Sequence, residues 1–133
     1  MRLCPSLLAL TALTALLASA CTHHPINRLV GADRDEHGCL GSAGYTWSDA
    51  LHQCVRLWET GERITAGSRC AFLLFSADST YTEIFTNEGK ILLRRDKTTP
   101  HIWTDKKANN KVVINNGATV VRAYNVTYTQ VTQ

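Results

Sequence analysis

The stretch KVVINNGATVVRA, residues 111–123, places the dipeptide Asn116-Gly117 between two apolar runs with a strand-like alternation. Both central positions of a type I′ turn need positive φ, which Asn and Gly adopt more readily than other residues. An Asn-Gly pair between such runs therefore predicts a two-residue β-hairpin. We expect its strands to run from Lys111 to Ile114 and from Ala118 to Ala123.

Short apolar runs separated by turn residues continue through the whole C-terminal part of the chain. The other predicted strands are Cys70 to Ser76, Thr80 to Thr86, Lys90 to Arg95, Ile102 to Thr104 and Val126 to Val131. Consecutive short strands with tight connections usually pair with their chain neighbours in an antiparallel sheet. The pattern predicts a mainly β fold, a small antiparallel meander that forms a curled sheet or a small barrel.

The segment YTWSDALHQCVRLWE, residues 45–59, precedes the meander and fits two interpretations. Ser48 could cap a helix that ends at Gly61. Alternatively, Tyr45 to Trp47 and Cys54 to Trp58 are strands joined by a polar turn. We favour the hairpin, because aromatic and β-branched residues flank the polar centre of the segment.

The N-terminus has the organisation of an export signal: Arg2, then an apolar run too short to span a bilayer, then small residues up to Cys21. Residues 17–21, LASAC, resemble the lipobox of bacterial lipoproteins, in which the cysteine is acylated. Ala18-Ser19-Ala20 also fits ordinary signal cleavage. We expect lipid attachment at Cys21, and Thr22 in place of Asp implies sorting to the outer membrane. The predicted domains are residues 1–20 as signal peptide, 21–38 as lipid anchor and tether, and 39–133 as one β-rich domain.

The remaining cysteines predict one disulfide bond. An exported protein meets an oxidising compartment, and the turn-bearing segment between Cys39 and Cys54 can bring these two together. Closing a loop of this size stabilises by about 3 kcal/mol in the chain-entropy model. Cys70 is then a buried free thiol. If the signal is cleaved without acylation, Cys21 and Cys70 could form a second bridge.

Two resemblances bear on these residues. Residues 35–47, DEHGCLGSAGYTW, and residues 54–59, CVRLWE, resemble a segment of small bacterial lipoproteins that have no characterised activity. That resemblance implies a secreted, cysteine-bridged β-domain. A signal, a bridge and a meander are also similar to the membrane-bound inhibitors of c-type lysozyme, and Ser42-Ala43-Gly44-Tyr45 resembles their Ser-Gly-x-x-Tyr motif.

Charge is unevenly distributed along the chain. The net charge of +3 becomes +2 if Arg2 leaves with the signal, and seven Lys and Arg residues with only two Asp lie within residues 90–111. Such a cluster could face lipopolysaccharide phosphates, nucleic acid or an acidic partner. We favour the interpretation as a solvated loop face, and export argues against nucleic acid as a partner. A strongly basic lysozyme would be repelled unless an acidic face is separate from residues 90–111.

The sequence contains no Gly-rich phosphate loop, no G-x-S-x-G elbow and no H-E-x-x-H pair. We therefore expect no enzymatic activity, no metal and no cofactor. The predicted function is a non-catalytic envelope lipoprotein that binds a protein or envelope polymer, and inhibition of a peptidoglycan hydrolase such as lysozyme is one form that such binding could take. The alternative is a structural or accessory lipoprotein that holds a partner at the outer membrane. The candidate partner-binding residues are Tyr45, Trp47, Arg56 and Trp58, since aromatic and Arg side chains dominate many interfaces.

Overall fold

The computed structural model describes residues 33–131 of the chain. The predicted signal peptide, Cys21 and the tether as far as residue 32 lie outside the described residues. Within the described part, no helix has the length and apolar character needed to cross a membrane.

The described chain contains ten strands, a short α-helix and a 3₁₀ turn, Gly41–Ala43, which precedes the first strand. In chain order the elements are β1 (Thr46–Ser48), β2 (Gln53–Val55), α1 (Leu57–Thr60), β3 (Glu62–Ala66), β4 (Arg69–Phe75), β5 (Tyr81–Thr86), β6 (Gly89–Arg95), β7 (Ile102–Thr104), β8 (Lys111–Asn115), β9 (Ala118–Ala123) and β10 (Val126–Val131).

Strands β3 to β10 form a closed antiparallel barrel in which each strand pairs with its chain neighbours, and β10 returns to β3. The predicted mainly β meander is therefore confirmed, and of its two predicted forms the chain adopts the barrel. Closure between β10 and β3 rests on the pairing of Thr129 with Thr65. The strand β3 was not predicted, because its sequence shows no clear alternation of apolar and polar residues. In the structure only Ile64 of its five residues is buried.

The hairpin predicted at Asn116-Gly117 is present. Asn115 pairs with Ala118, so the loop has two residues, and Asn116 and Gly117 have φ of 50° and 79°. A second hairpin of the same kind joins β9 to β10 through Tyr124 and Asn125, whose φ values are 50° and 62°. Its sequence lacks the Asn-Gly signal, so this turn type was not predicted.

The segment before the barrel is a hairpin, as favoured from the sequence. The alternative prediction, a helix over residues 48–58, is wrong. Thr46, Trp47 and Ser48 pair with Val55, Cys54 and Gln53 in an isolated two-stranded sheet. The second strand is shorter than predicted, because it ends at Val55 and the chain then makes the helical turn α1.

Two groups of apolar side chains hold the fold together. The barrel interior is filled from every strand, mainly by Ile64, Leu73, Ile84, Leu93, Trp103, Val112, Val121 and Tyr128. A second cluster lies outside the barrel, where Val55 of β2 packs against Leu74 of β4 and Phe85 of β5. The hairpin therefore covers the outer face of β4 and β5 and buries side chains that would otherwise face solvent.

Candidate functional site

A disulfide bond between Cys39 and Cys54 ties the hairpin to the loop before it, as predicted. The Cα atoms are 5.5 Å apart, and Cys39 is buried. Residues 33–38, at the end of the predicted tether, form a turn in which Asp35 Oδ1 accepts hydrogen bonds from the amides of His37 and Cys39. The remaining described cysteine, Cys70, is a free thiol and is half-buried.

Arg56 is held on the outward face of the hairpin by three contacts. Its guanidinium carbon lies 4.5 Å from the centre of the Tyr45 ring, a cation–π geometry. Its Nε donates to the Ala43 carbonyl at 3.0 Å, and its Nη1 donates to Glu59 at the same distance. The Arg56 side chain is about two-thirds buried, and these contacts make its guanidinium a fixed positive centre on the hairpin.

Trp58 is 62% exposed and is the most exposed large apolar side chain of the described residues. Its ring lies directly on Gly44, where a Cβ atom would overlap the ring. Gly44 also has φ of 78°, a conformation that favours glycine. A glycine is therefore required here for two reasons: its backbone conformation and the space that the Trp58 ring occupies. Because Gly44 adjoins Tyr45, we name Tyr45, Arg56 and Trp58 together the hairpin surface.

Trp47, the fourth candidate, makes different contacts. Its ring stacks on His37 with centroids 4.4 Å apart, and its Nε1 donates to Asp49 Oδ1 at 3.0 Å. It is half-buried. Trp47 thus joins the loop of residues 33–40 to the hairpin. Its contacts are with His37 and Asp49, so we do not include it in the hairpin surface.

A buried carboxylate joins the hairpin to the barrel. Glu83 on β5 is fully buried, and its Oε2 accepts hydrogen bonds from Ser48 Oγ at 2.7 Å and from the Ala50 amide at 3.3 Å. Its Oε1 has no hydrogen-bond partner among the described residues and lies 3.7 Å from Lys90 Nζ. This role of Glu83 could not be predicted from the sequence, because a Glu at an outward position of a strand normally faces solvent.

Lys90 connects this carboxylate to the surface. Its ammonium lies 2.8 Å from Asp49 Oδ2 and donates to the Trp47 carbonyl at 3.3 Å. The hydrogen bond from Lys90 outweighs the partial burial of Asp49 and lowers the pKa of that carboxyl. Burial disfavours the charged ammonium, but Asp49 and Glu83 outweigh that effect and raise the pKa of Lys90. The three residues thus form one charged network.

Charge separates into two sectors on the surface. Residues 33–62 carry six carboxylates and two arginines, a net charge of −4, and most of the six acids are exposed. Residues 90–111 carry seven Lys and Arg against two Asp, a net charge of +5. The stretch that contains the hairpin is therefore acidic and residues 90–111 are basic, and Lys90 of the basic stretch is paired with Asp49 and Glu83 at the hairpin.

The barrel is open at one end, where a cavity of about 630 Å³ has Phe75, Trp103 and Ile114 among its lining residues. Trp103 is a core residue whose Nε1 donates to the Ser79 carbonyl at 2.9 Å. Arg95 and Lys97 line both this cavity and a groove on the outside of the barrel. The basic sector therefore reaches the mouth of the barrel.

No group of three or more His, Cys, Asp or Glu side chains in residues 33–131 is arranged to hold a metal ion. Comparison of the chain with models of known protein families, with curated proteins and with solved structures gave no match. The functional proposal below therefore rests on the geometry and charge of the chain itself.

Proposed function

We propose that this protein is a non-catalytic lipoprotein of the bacterial outer membrane that binds a basic protein, a peptidoglycan hydrolase of the lysozyme type, through the hairpin surface. The observation that carries the proposal is the exposure of Trp58 beside a fixed arginine. Aromatic and Arg side chains supply most of the binding energy at protein interfaces, above all where they are already held in place.

The attachment of the hairpin supports this role. The cluster around Val55 and the hydrogen bonds to Glu83 fix the hairpin on the barrel, and the disulfide bond ties the hairpin to the loop before it. A surface that is rigid before binding loses little conformational entropy when a partner arrives. Arg56 is fixed by Tyr45, Ala43 and Glu59, and the Trp58 ring lies on Gly44 of the same loop.

The acidic residues around the hairpin surface indicate that the partner is positively charged. Six carboxylates lie within residues 33–62, the stretch that contains the hairpin surface. Their long-range attraction would steer a cationic protein toward that surface. Lysozymes are basic, and an inhibitor anchored by lipid at Cys21 would sit where such enzymes attack the envelope.

The test is binding and inhibition of a c-type lysozyme by the purified protein, measured by calorimetry and by lysis of a peptidoglycan suspension. We expect saturable binding that weakens with added salt, together with slower lysis. Binding without slower lysis would favour an accessory lipoprotein that holds its partner. Absence of binding to the lysozyme, with binding to peptidoglycan instead, would overturn a protein partner.

A further inference from the structure

Five basic side chains at the end of β6 and in the loops on either side of β7 form a second surface, which we name the basic face: Arg94, Arg95, Lys97, Lys106 and Lys107. Arg94, Arg95, Lys97 and Lys106 line one groove of about 400 Å³. Within residues 33–131 none of the five forms a salt bridge or donates a side-chain hydrogen bond, whereas Arg56, Arg69 and Lys90 all do.

The two carboxylates in this region are engaged in their own loops. Asp96 Oδ1 accepts from the amides of Thr98 and Thr99, and Asp105 accepts from Asn109 and Asn110. They shape the loops and leave the cations without a direct partner. An unpaired cluster of this kind attracts a multivalent anion, because each cation adds to the same local potential.

Two exposed apolar side chains lie among the cations. Tyr81 and Leu92 are 38% and 43% exposed, and they line a groove of about 660 Å³ together with Arg94, Lys106 and Lys107. Cations that surround an aromatic and an aliphatic side chain match the interface of an anionic bilayer, where phosphates meet the start of the acyl region. A soluble polyanion would leave Tyr81 and Leu92 without a function.

We propose that the basic face docks on an anionic membrane surface, with its five cations on lipid phosphates and with Tyr81 and Leu92 among the headgroups. This contact goes beyond the proposed function, because it uses a different surface and a different partner from the hairpin surface. A barrel that lies on the membrane by its basic face would keep its acidic hairpin sector available to a protein.

The test uses the full-length protein carrying Cys21→Ser, so that no lipid is attached at that position, in sedimentation with two kinds of vesicle. One kind contains phosphatidylcholine alone and sets the baseline, and the other also contains phosphatidylglycerol. We expect stronger binding to the anionic vesicles. The double variant Arg94→Gln, Lys106→Gln should lower that partition coefficient about 30-fold, as expected from the loss of two membrane-facing cations.

The matched control is Arg63→Gln, Arg69→Gln, which removes the same charge from exposed positions on β3 and β4 and should leave binding nearly unchanged. Leu92→Ser should weaken binding to anionic vesicles but not to soluble polyphosphate. Melting temperatures of all variants should match that of the parent, since these side chains are exposed. Loop variants Lys106→Glu and Lys107→Glu repeat the test without touching a strand.

The proposal is overturned if the control pair weakens vesicle binding as much as the Arg94 and Lys106 pair does. Binding to soluble polyglutamate without binding to anionic vesicles would also overturn it and would assign the face to an acidic polypeptide. Unchanged lysozyme binding in a Trp58→Ala variant that still binds vesicles would count against the hairpin surface alone, so the two proposals can fail separately.

Discussion

Ser48 Oγ donates a 2.7 Å hydrogen bond to Glu83 Oε2 across 35 residues of sequence, and both side chains are fully buried. This bond places the first hairpin on the outer face of β5 and satisfies part of a buried carboxylate. The hairpin and the barrel are thereby joined by a polar contact as well as by apolar packing. Together these contacts determine where the hairpin surface lies on the barrel.

Ser48→Ala should destabilise the protein by about 1.5–3 kcal/mol, because a buried charged acceptor then loses its closest donor. Chemical denaturation monitored by circular dichroism measures the change. Ser68→Ala, at an exposed turn between β3 and β4, is the matched control and should stay within about 0.5 kcal/mol of the wild type. Equal stability of both variants would contradict a structural role for the buried bond.

Replacement of both bridged cysteines, Cys39→Ala with Cys54→Ala, should lower the free energy of unfolding by about 2–5 kcal/mol. Non-reducing peptide mapping of the wild type should recover these two residues in one linked pair and Cys70 as a free thiol. Cys70→Ala serves as the control and should leave the linked pair intact. Recovery of Cys39 in a bridge with Cys70 would show that the assigned pairing is wrong.

Trp58 and Trp103 should respond in opposite ways to replacement by Ala. Trp103 is 3% exposed, so its loss leaves a cavity and should cost about 3–5 kcal/mol of stability. Trp58 is mostly exposed, so Trp58→Ala should fold normally and weaken lysozyme binding by about 1–3 kcal/mol. Val120→Ala, exposed on β9 across the barrel, is the binding control. A lower melting temperature for Trp58→Ala with unchanged binding would reject the hairpin surface.

The Asp49 and Lys90 pair predicts a pH dependence at both ends of the scale. Folding lowers the pKa of Asp49, so its contribution is present above the ordinary value of 3.8 and is lost as pH falls through the folded value. Folding raises the pKa of Lys90, so its contribution is present below 10.5 and is lost as pH rises through the folded value.

Asp49→Asn should therefore lose less stability in acid than the wild type does, and Lys90→Gln should show a smaller loss in both acid and alkali. Urea midpoints measured from neutral pH to about pH 2, and again in alkali, give the comparison. Parallel curves for the wild type and both variants would mean that the pair does not contribute to folding.

Cys21→Ser should abolish lipid labelling, because the lipobox-like residues 17–21 predict acylation of this cysteine. Metabolic labelling with a radioactive fatty acid, followed by fractionation of the envelope, measures it. Export should survive, since the apolar signal is unchanged. Cys39→Ser is the control and should keep its label. Equal labelling of the wild type and the Cys21 variant would reject the anchor.

Most barrel strands could be predicted from the sequence because their signals are local. The period-two pattern and the positive φ of Asn116 and Gly117 depend on neighbouring residues alone, and the structure has that hairpin in the expected register. The strand β3 and the pairing of β10 with β3 could not be predicted in this way. Their pairing joins residues far apart in sequence, and Glu62–Ala66 carries no pattern of its own.

The same division applies to the candidate sites. Residue types alone marked Tyr45, Arg56 and Trp58 as potential binding residues, and compartment and spacing indicated the bond between Cys39 and Cys54. Only the tertiary structure decided that Glu83 is buried. Its burial depends on which surface covers its strand face, and covering comes from a hairpin more than thirty residues earlier in the chain. The exposure of Trp58 was likewise decided only by the tertiary structure, because burial is a property of packed elements rather than of any single segment.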